Sequence, residues 1–296
     1  MYKSGYAVIL GRPNVGKSTL MNHLIGMKVA ITSRKPQTTR SRQATVLTED
    51  EGQVIFLDTP GVIKKSGNKL GDYMKGEYAG SLSEADVALW VVEPKSYIGP
   101  ADEEIAGMLK GCGTPVILVV NKADTVKKEA LAEVIEAFSA ECGFADAVCV
   151  SALKGTNLKA LKECIFKNLP EGPQYYDEET VTETPVRDMC AEIIREKALR
   201  CLGEEVPHGI AVVVESFKER REGLTDIEAA VICEKDSHKG IIIGKGGAML
   251  KKIGQAARTD IEELVGTKVY LKLFVKVRKN WRDSMSDLKN FGYSKK

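Results

Sequence analysis

Five short runs rich in Val and Ile punctuate the first half of the chain: Tyr6–Leu10, Val54–Leu57, Val87–Val92, Val116–Val120 and Ala147–Val150. Each is continuously apolar, the pattern of strands covered on both faces in a mainly parallel sheet. Amphipathic stretches stand between them, at Lys17–Ile25, Ala101–Lys110, Lys128–Cys142 and Asn157–Asn168, and predict helices. Thr39–Thr48 and Gln53–Leu57 flank the turn signal Glu49-Asp50-Glu51-Gly52, which predicts one antiparallel hairpin. The alternation predicts a three-layer α/β domain over residues 1–173. Leu70, Met74, Tyr78 and Leu82 recur every four residues. They predict a helix whose apolar stripe is either a packing face or a contact gated by a ligand.

The rhythm breaks after Leu169. Pro170, Pro173 and Pro185 among clustered acids read as a linker over residues 174–185. Beyond it the pattern predicts a helix at Arg187–Cys201 and strands at Ile210–Glu215 and Leu224–Glu234. Helices at Lys239–Ile243 and Met249–Val265 follow, then an alternating strand at Lys268–Val277 and a last helix at Asp283–Phe291. This second, α+β domain occupies residues 186–296.

Composition narrows the class. Hydrophobic residues at 43% and charged residues at 28% are ordinary for a globular protein and argue against disorder. Seven scattered cysteines without a Cys-x-x-Cys pair read as reduced thiols, not a disulfide frame or zinc site. No apolar run approaches the length of a membrane span, and the first strand begins too early for a signal peptide, so a cytoplasmic protein is expected. The net charge of +2 hides an asymmetry: residues 236–296 hold fourteen Lys and Arg against six Asp and Glu, while residues 1–235 carry a net of −6. A basic tail on an acidic body points to a nucleic-acid partner for the second domain.

Chemistry enters directly after the first strand. Gly11-Arg12-Pro13-Asn14-Val15-Gly16-Lys17-Ser18, followed by Thr19, has the spacing of a phosphate loop. Its glycines let backbone N–H groups curl around a polyphosphate, with the following helix dipole aimed at the same anion. Lys17 can reach the β and γ phosphates, and Ser18 can offer its hydroxyl to Mg²⁺. Asp58-Thr59-Pro60-Gly61, followed by Val62, ends another strand; Asp58 suits Mg²⁺ and the Gly61 N–H suits the γ-phosphate. Asn121-Lys122-Ala123-Asp124 ends a third strand, where Asp124 can accept two hydrogen bonds from guanine and none of that pattern from adenine. Ser151-Ala152-Leu153 can supply N–H groups to the guanine carbonyl. Gln37-Thr38-Thr39-Arg40 lies where a first switch loop belongs, with Thr39, or else Thr38, completing the Mg²⁺ shell. The residues expected to act at the reacting phosphates are Lys17, Asn14, Thr39 and Gly61.

In the second domain Gly244-Lys245-Gly246-Gly247 joins two helices, with Lys239, Lys245, Lys251 and Lys252 around it. Two helix ends with glycine at the contact allow close approach of a sugar–phosphate backbone. The strand Leu224–Glu234 either lines a base-binding groove or packs in the core. Trp281, in Arg278-Lys279-Asn280-Trp281-Arg282, either stacks on RNA or anchors the last helix.

The order of elements around Gly-x-x-Gly resembles a prokaryotic-type KH domain. The guanine-nucleotide motifs resemble translation-factor-class GTPases, and most sharply the Era group, which shares the hydrophobic residue at Val62. This implies a GTPase with GTP, GDP and Mg²⁺ as ligands, and K⁺ held near the β–γ bridge by Asn14. It implies binding of the KH domain to the 3′ end of 16S rRNA during 30S subunit assembly, as a monomer. It also implies a reversible association with the inner face of the cell membrane, which composition does not show. Two rival classes stand beside this: a GTPase whose second domain docks proteins, and an RNA-binding module whose nucleotide site is structural.

Overall fold

The computed structural model describes residues 1–296 apart from 34, 36–37, 62–66, 204, 221–222 and 294–296. Arg34, Gln37, Val62, Lys64 and Lys65 therefore lie outside the described residues. β1 (Lys3–Leu10) runs through the interior of a six-stranded sheet. Its neighbours are β3 (Gly52–Asp58) on one side and β4 (Val87–Val92) on the other. β2 (Gln43–Glu49) closes one edge, and β5 (Val116–Val120) and β6 (Asp146–Cys149) complete the other. Only β2 pairs antiparallel, through the hairpin expected at residues 49–52.

Why the strands read as unbroken apolar runs is plain from the packing. Ala7, Ile9 and Phe56 share a core with α1 (Lys17–Ile25) and α5 (Leu158–Asn168). The alternate residues Val8, Leu10 and Ile55 share another with α2 (Lys69–Ser83), α3 (Pro100–Lys110) and α4 (Lys128–Glu141). Both faces are covered, which is why these central runs are apolar throughout. Leu70, Met74, Tyr78 and Leu82 on α2 are all buried, with Tyr78 and Leu82 in the second of these cores. Parallel pairing then brings the carboxyl ends of β1, β3, β5 and β6 to one edge of the sheet, where ligands bind in such folds.

The proline-rich stretch after α5 is ordered against this sheet. Ser4 N–H donates to Pro170 O at 3.1 Å, and Gly172 N–H to Tyr2 O at 3.2 Å. Buried Gln53 accepts from the N–H groups of Tyr175 and Tyr176, both at 2.9 Å. Val46 N–H donates to Val181 O at 2.8 Å, covering the outer edge of β2. The chain divides into two compact units between Glu183 and Thr184.

The second unit is a three-stranded sheet in the order β7 (Ala211–Arg220), β8 (Leu224–Cys233), β9 (Lys268–Val277). β8 pairs antiparallel with β7 and parallel with β9. α6 (Val186–Cys201), α7 (Asp236–Ile243) and α8 (Ala248–Val265) share its core. β8 is core on both faces: Ile227, Ala229 and Val231 are fully buried, as are Ala230 and nearly Ile232. The groove-lining reading of this strand gives way to packing. Trp281 is likewise buried, donating from Nε1 to Gly209 O at 3.0 Å and meeting Phe291 edge-on at 5.4 Å. It anchors the terminal segment, including α9 (Met285–Asn290), and is not available to stack on RNA.

α6 holds something its apolar residues do not announce. Arg195, Glu196 and Lys197 are buried in succession. Arg195 pairs with Glu192 at 2.6 Å, and Lys197 bridges Glu196 at 3.3 Å and Asp260. Pairing is what makes such charges tolerable out of water.

Candidate functional site

The loop from Gly11 to Ser18 leaves β1 and enters α1 with Gly16 at the helix start, in the left-handed region at φ 102° and with no side-chain cap. The first N–H groups of α1 thus have no intrahelical or capping partner and face an incoming anion. A Cβ on Gly16 would lie 2.3 Å from Asn121 Nδ2, so glycine is needed for space as well as backbone shape. Lys17 is buried and donates to the carbonyls of Gly11 at 3.0 Å and Arg12 at 3.1 Å. Burial pulls its ammonium down to about 8, against the opposing pull of Asp58. A phosphate arriving here would favour the charged form further.

Three hard oxygens converge beside Lys17. Ser18 Oγ is 3.2 Å from Asp58 Oδ2 and 3.3 Å from Thr39 Oγ1, and Thr39 Oγ1 is 3.4 Å from Asp58 Oδ2. Asp58 is fully buried, and its Oδ1 has no hydrogen-bond partner among the described residues. Burial pushes this carboxyl up, opposed by Lys17 and by the hydroxyls of Ser18 and Thr39. Adjacent ligands of an octahedral Mg²⁺ at about 2.0–2.1 Å stand about 3 Å apart. The donor set and spacing therefore suit Mg²⁺, and Thr39, not Thr38, makes the contact with Ser18 and Asp58. Thr59 Oγ1 ties the same turn to Ile9 O at 2.9 Å, and an added Cβ on Gly61 would meet Pro13 at 3.0 Å.

At the end of β5, buried Asn121 fastens two loops. Its Nδ2 donates to Val15 O at 2.8 Å, and its Oδ1 accepts from Ala152 N–H at 2.9 Å. Lys122, at φ 61°, extends along the phosphate loop to Asn14 O at 2.8 Å, and Ala123 N–H donates to Val150 O at 3.0 Å. Asp124 remains accessible, with Ser151 hydrogen-bonded to it and Lys154 Nζ at 3.4 Å. That Ser151 bond, with Lys154, holds its carboxyl below the usual range, so it presents a charged double acceptor. The loop Ser151-Ala152-Leu153 stands next to it, Ala152 buried and Leu153 exposed.

In the second unit Gly244, Gly246 and Gly247 all have positive φ, at 74°, 59° and 82°. Gly247 starts α8 without a side-chain cap. From this turn a groove runs between α8 and β9, lined by Gly247, Lys251, Gln255 and Arg258 on one wall and Tyr270 and Leu271 on the other. Lys239, Lys245, Lys251 and Lys252 are all exposed, and Lys251 lines the groove itself. Tyr270 is 59% exposed, an aromatic face on an edge strand. Its lining residues Gln255, Arg258 and Tyr270 are not singled out by the motif. The signal was present in the helical spacing of 247, 251, 255 and 258, one face of α8 continuing from the glycines.

Comparison with known proteins agrees with this geometry. Residues 6–122 match the family described as 50S ribosome-binding GTPase, and residues 205–282 match the KH domain. The chain is 52% identical over 294 residues to GTPase Era of Caldanaerobacter subterraneus subsp. tengcongensis, covering 99% of this chain and 98% of that one. It is 49% identical over the full length of both chains to GTPase Era of Clostridium botulinum strain Alaska E43. Among solved structures, a variant of Aquifex aeolicus Era bound to GDP·AlF₄⁻ superposes with a TM-score of 0.95 at 41% identity, covering 99% of this chain and 100% of that one. An Era structure in complex with MgGDPNP and nucleotides 1506–1542 of 16S ribosomal RNA gives 0.96 at 40% identity, covering both chains completely.

Proposed function

The chain belongs to the Era family of GTPases, and from that premise we propose that it is a GTP-hydrolysing protein that binds the 3′ end of 16S rRNA in assembly of the 30S subunit. The observation that carries this is the convergence of Lys17, Ser18, Thr39 and Asp58 at the same sheet edge as Asn121 and Asp124. Residues 11–19 hold the phosphates, Asp58 to Val62 follow the γ-phosphate, and residues 121–124 with 151–153 read the guanine. Ser18, Thr39 and Asp58 would hold Mg²⁺, which when bound neutralises charge on the β and γ phosphate oxygens. Lys17 concentrates positive charge where the transition state gathers negative charge, and the Gly61 N–H adds a donor to the γ-phosphate.

Asn14, exposed and held at φ 67° in the phosphate loop, is the residue proposed to carry K⁺ stimulation. Gly244 to Gly247, with Lys239, Lys245, Lys251 and Lys252, receive single-stranded RNA through backbone approach and phosphate charge. The protein acts as a monomer. A reversible association with the cytoplasmic membrane face belongs to the same reading; among the described residues no helix is long and apolar enough to cross a membrane.

Single-turnover hydrolysis, with Mg²⁺ and with or without K⁺, tests the enzyme assignment. Phosphate release that K⁺ accelerates by about tenfold, or about 1.4 kcal/mol of barrier, is expected. No release under either condition would reduce the nucleotide site to a structural one.

A further inference from the structure

Glu93 and Asp102 belong to none of the guanine-nucleotide motifs, yet both face them. Glu93 follows β4 and accepts from Lys122 Nζ, the same ammonium that donates to Asn14 O at 2.8 Å. Its other oxygen lies 3.9 Å from Arg12 Nη2 and 3.5 Å from Lys95 Nζ. Arg12 Nε in turn stands 3.2 Å from Asp102 Oδ2, and that oxygen also accepts from Gly99 N–H at 3.2 Å, the start of α3. Asp102 is 1% exposed and Glu93 about a fifth, so neither pair is an ordinary solvated surface contact. One chain of charge thus runs from Lys122, beside the base-reading Asp124, through Glu93 and Arg12 to Asp102.

We infer that Glu93 and Asp102 are positioning residues for nucleotide binding, holding the phosphate loop and the base-reading turn in one fixed spacing. The inference rests on the guanine-nucleotide reading above. The physical case is that Arg12 and Lys122 each carry a flexible side chain, and neither would stay put on backbone contacts alone. Pinned by Asp102, Arg12 is drawn toward α3. Pro13, the next residue, is then fixed where an added Cβ on Gly61 would touch it. Pinned by Glu93, Lys122 braces Asn14 O from below. Burial pushes Asp102 up while Arg12 opposes it, and burial likewise works against Glu93, which Lys122 and Lys95 hold down. The net direction is downward for Glu93 and upward for Asp102, so the case for both rests on their contacts with Lys122 and Arg12.

A device of this kind acts on binding and not on the chemical step, because it touches neither phosphate nor base. Dissociation constants for GTP and GDP, and single-turnover rates at saturating GTP, should be measured for the wild type, Glu93→Gln, Glu93→Asp, Asp102→Asn, Arg12→Ala and Glu93→Gln with Arg12→Ala. Glu93→Gln should weaken GTP and GDP alike by about tenfold, the loss of one charged partner in a half-buried pair. The saturated rate should move by far less. Glu93→Asp keeps the carboxylate and should recover most of the affinity. Asp102→Asn still accepts from Gly99 N–H, so it removes charge without removing the helix start and should weaken both nucleotides as well. Adding Arg12→Ala to Glu93→Gln should cost less than the two losses combined, the mark of a shared interaction. Unchanged affinity in Glu93→Gln and Asp102→Asn would overturn the inference, as would a loss confined to GTP or to the saturated rate. A wild-type protein that binds no GTP would instead overturn the guanine-nucleotide reading on which it rests.

Discussion

Asp124→Asn should weaken GTP binding on the order of 10³-fold and create a preference for xanthosine triphosphate, because the site loses one acceptor and gains a donor. Guanine offers two donors side by side, N1–H and the N2 amine. The Asp124 carboxylate, kept ionised by Ser151 and Lys154, would accept both. An amide there accepts one and confronts the other with its own NH₂. Xanthine has N1–H beside a carbonyl, which matches the amide. Asn121, which holds Val15 and Ala152 in place, is untouched, so the loop geometry should survive. Nucleotide competition by filter binding reads the switch directly, and retained GTP selectivity would mean that the base pocket lies elsewhere.

The second large effect is expected in the other unit. Gly246→Asp combined with Gly247→Asp should abolish retention of single-stranded RNA, by about a hundredfold or more, while GTP affinity stays within twofold. Both glycines have open space where a Cβ would grow, so the side chains can be accommodated. Both also have positive φ, at a strain of about 1–2 kcal/mol per residue that a small domain can absorb. What changes is charge: two carboxylates stand where the sugar–phosphate backbone must approach, among Lys245, Lys251 and Lys252. Gel-shift titration with a single-stranded RNA reads this. Undiminished RNA binding would favour a second domain that docks proteins.

Much of this was legible in the chain because the signals are local. The apolar runs predict strands since both sheet faces are covered, and the phosphate loop carries its own glycines and lysine in sequence. Asn121 and Asp124 were legible because they end a recognisable strand. Where the reading left alternatives open or was silent, the deciding contact was distant. Trp281, among basic residues, reads as an RNA-stacking ring or an anchor for the last helix; the partner that decides for the anchor, Gly209 O, is seventy-two positions away. The strand β8 reads equally as groove or core; only its central place between β7 and β9 decides for core, leaving the edge strand β9 to form the groove. Glu93 and Asp102 belong to no motif, and nothing local reveals that Lys122 and Arg12 meet them. The stretch after α5 reads as a linker because of its prolines and acids; that its backbone pairs with the edge of β2 is not visible in its composition.

Crosslinking the protein to RNA in living cells, and sequencing what is recovered, tests the central claim that one chain joins a guanine-nucleotide site to single-stranded rRNA recognition. With GTP hydrolysis blocked, reads should accumulate at the 3′ end of 16S rRNA, with crosslinks mapping to Gly244–Lys252 and the α8–β9 groove. Recovery of no rRNA above background, or of rRNA crosslinked only outside that groove, would contradict the account.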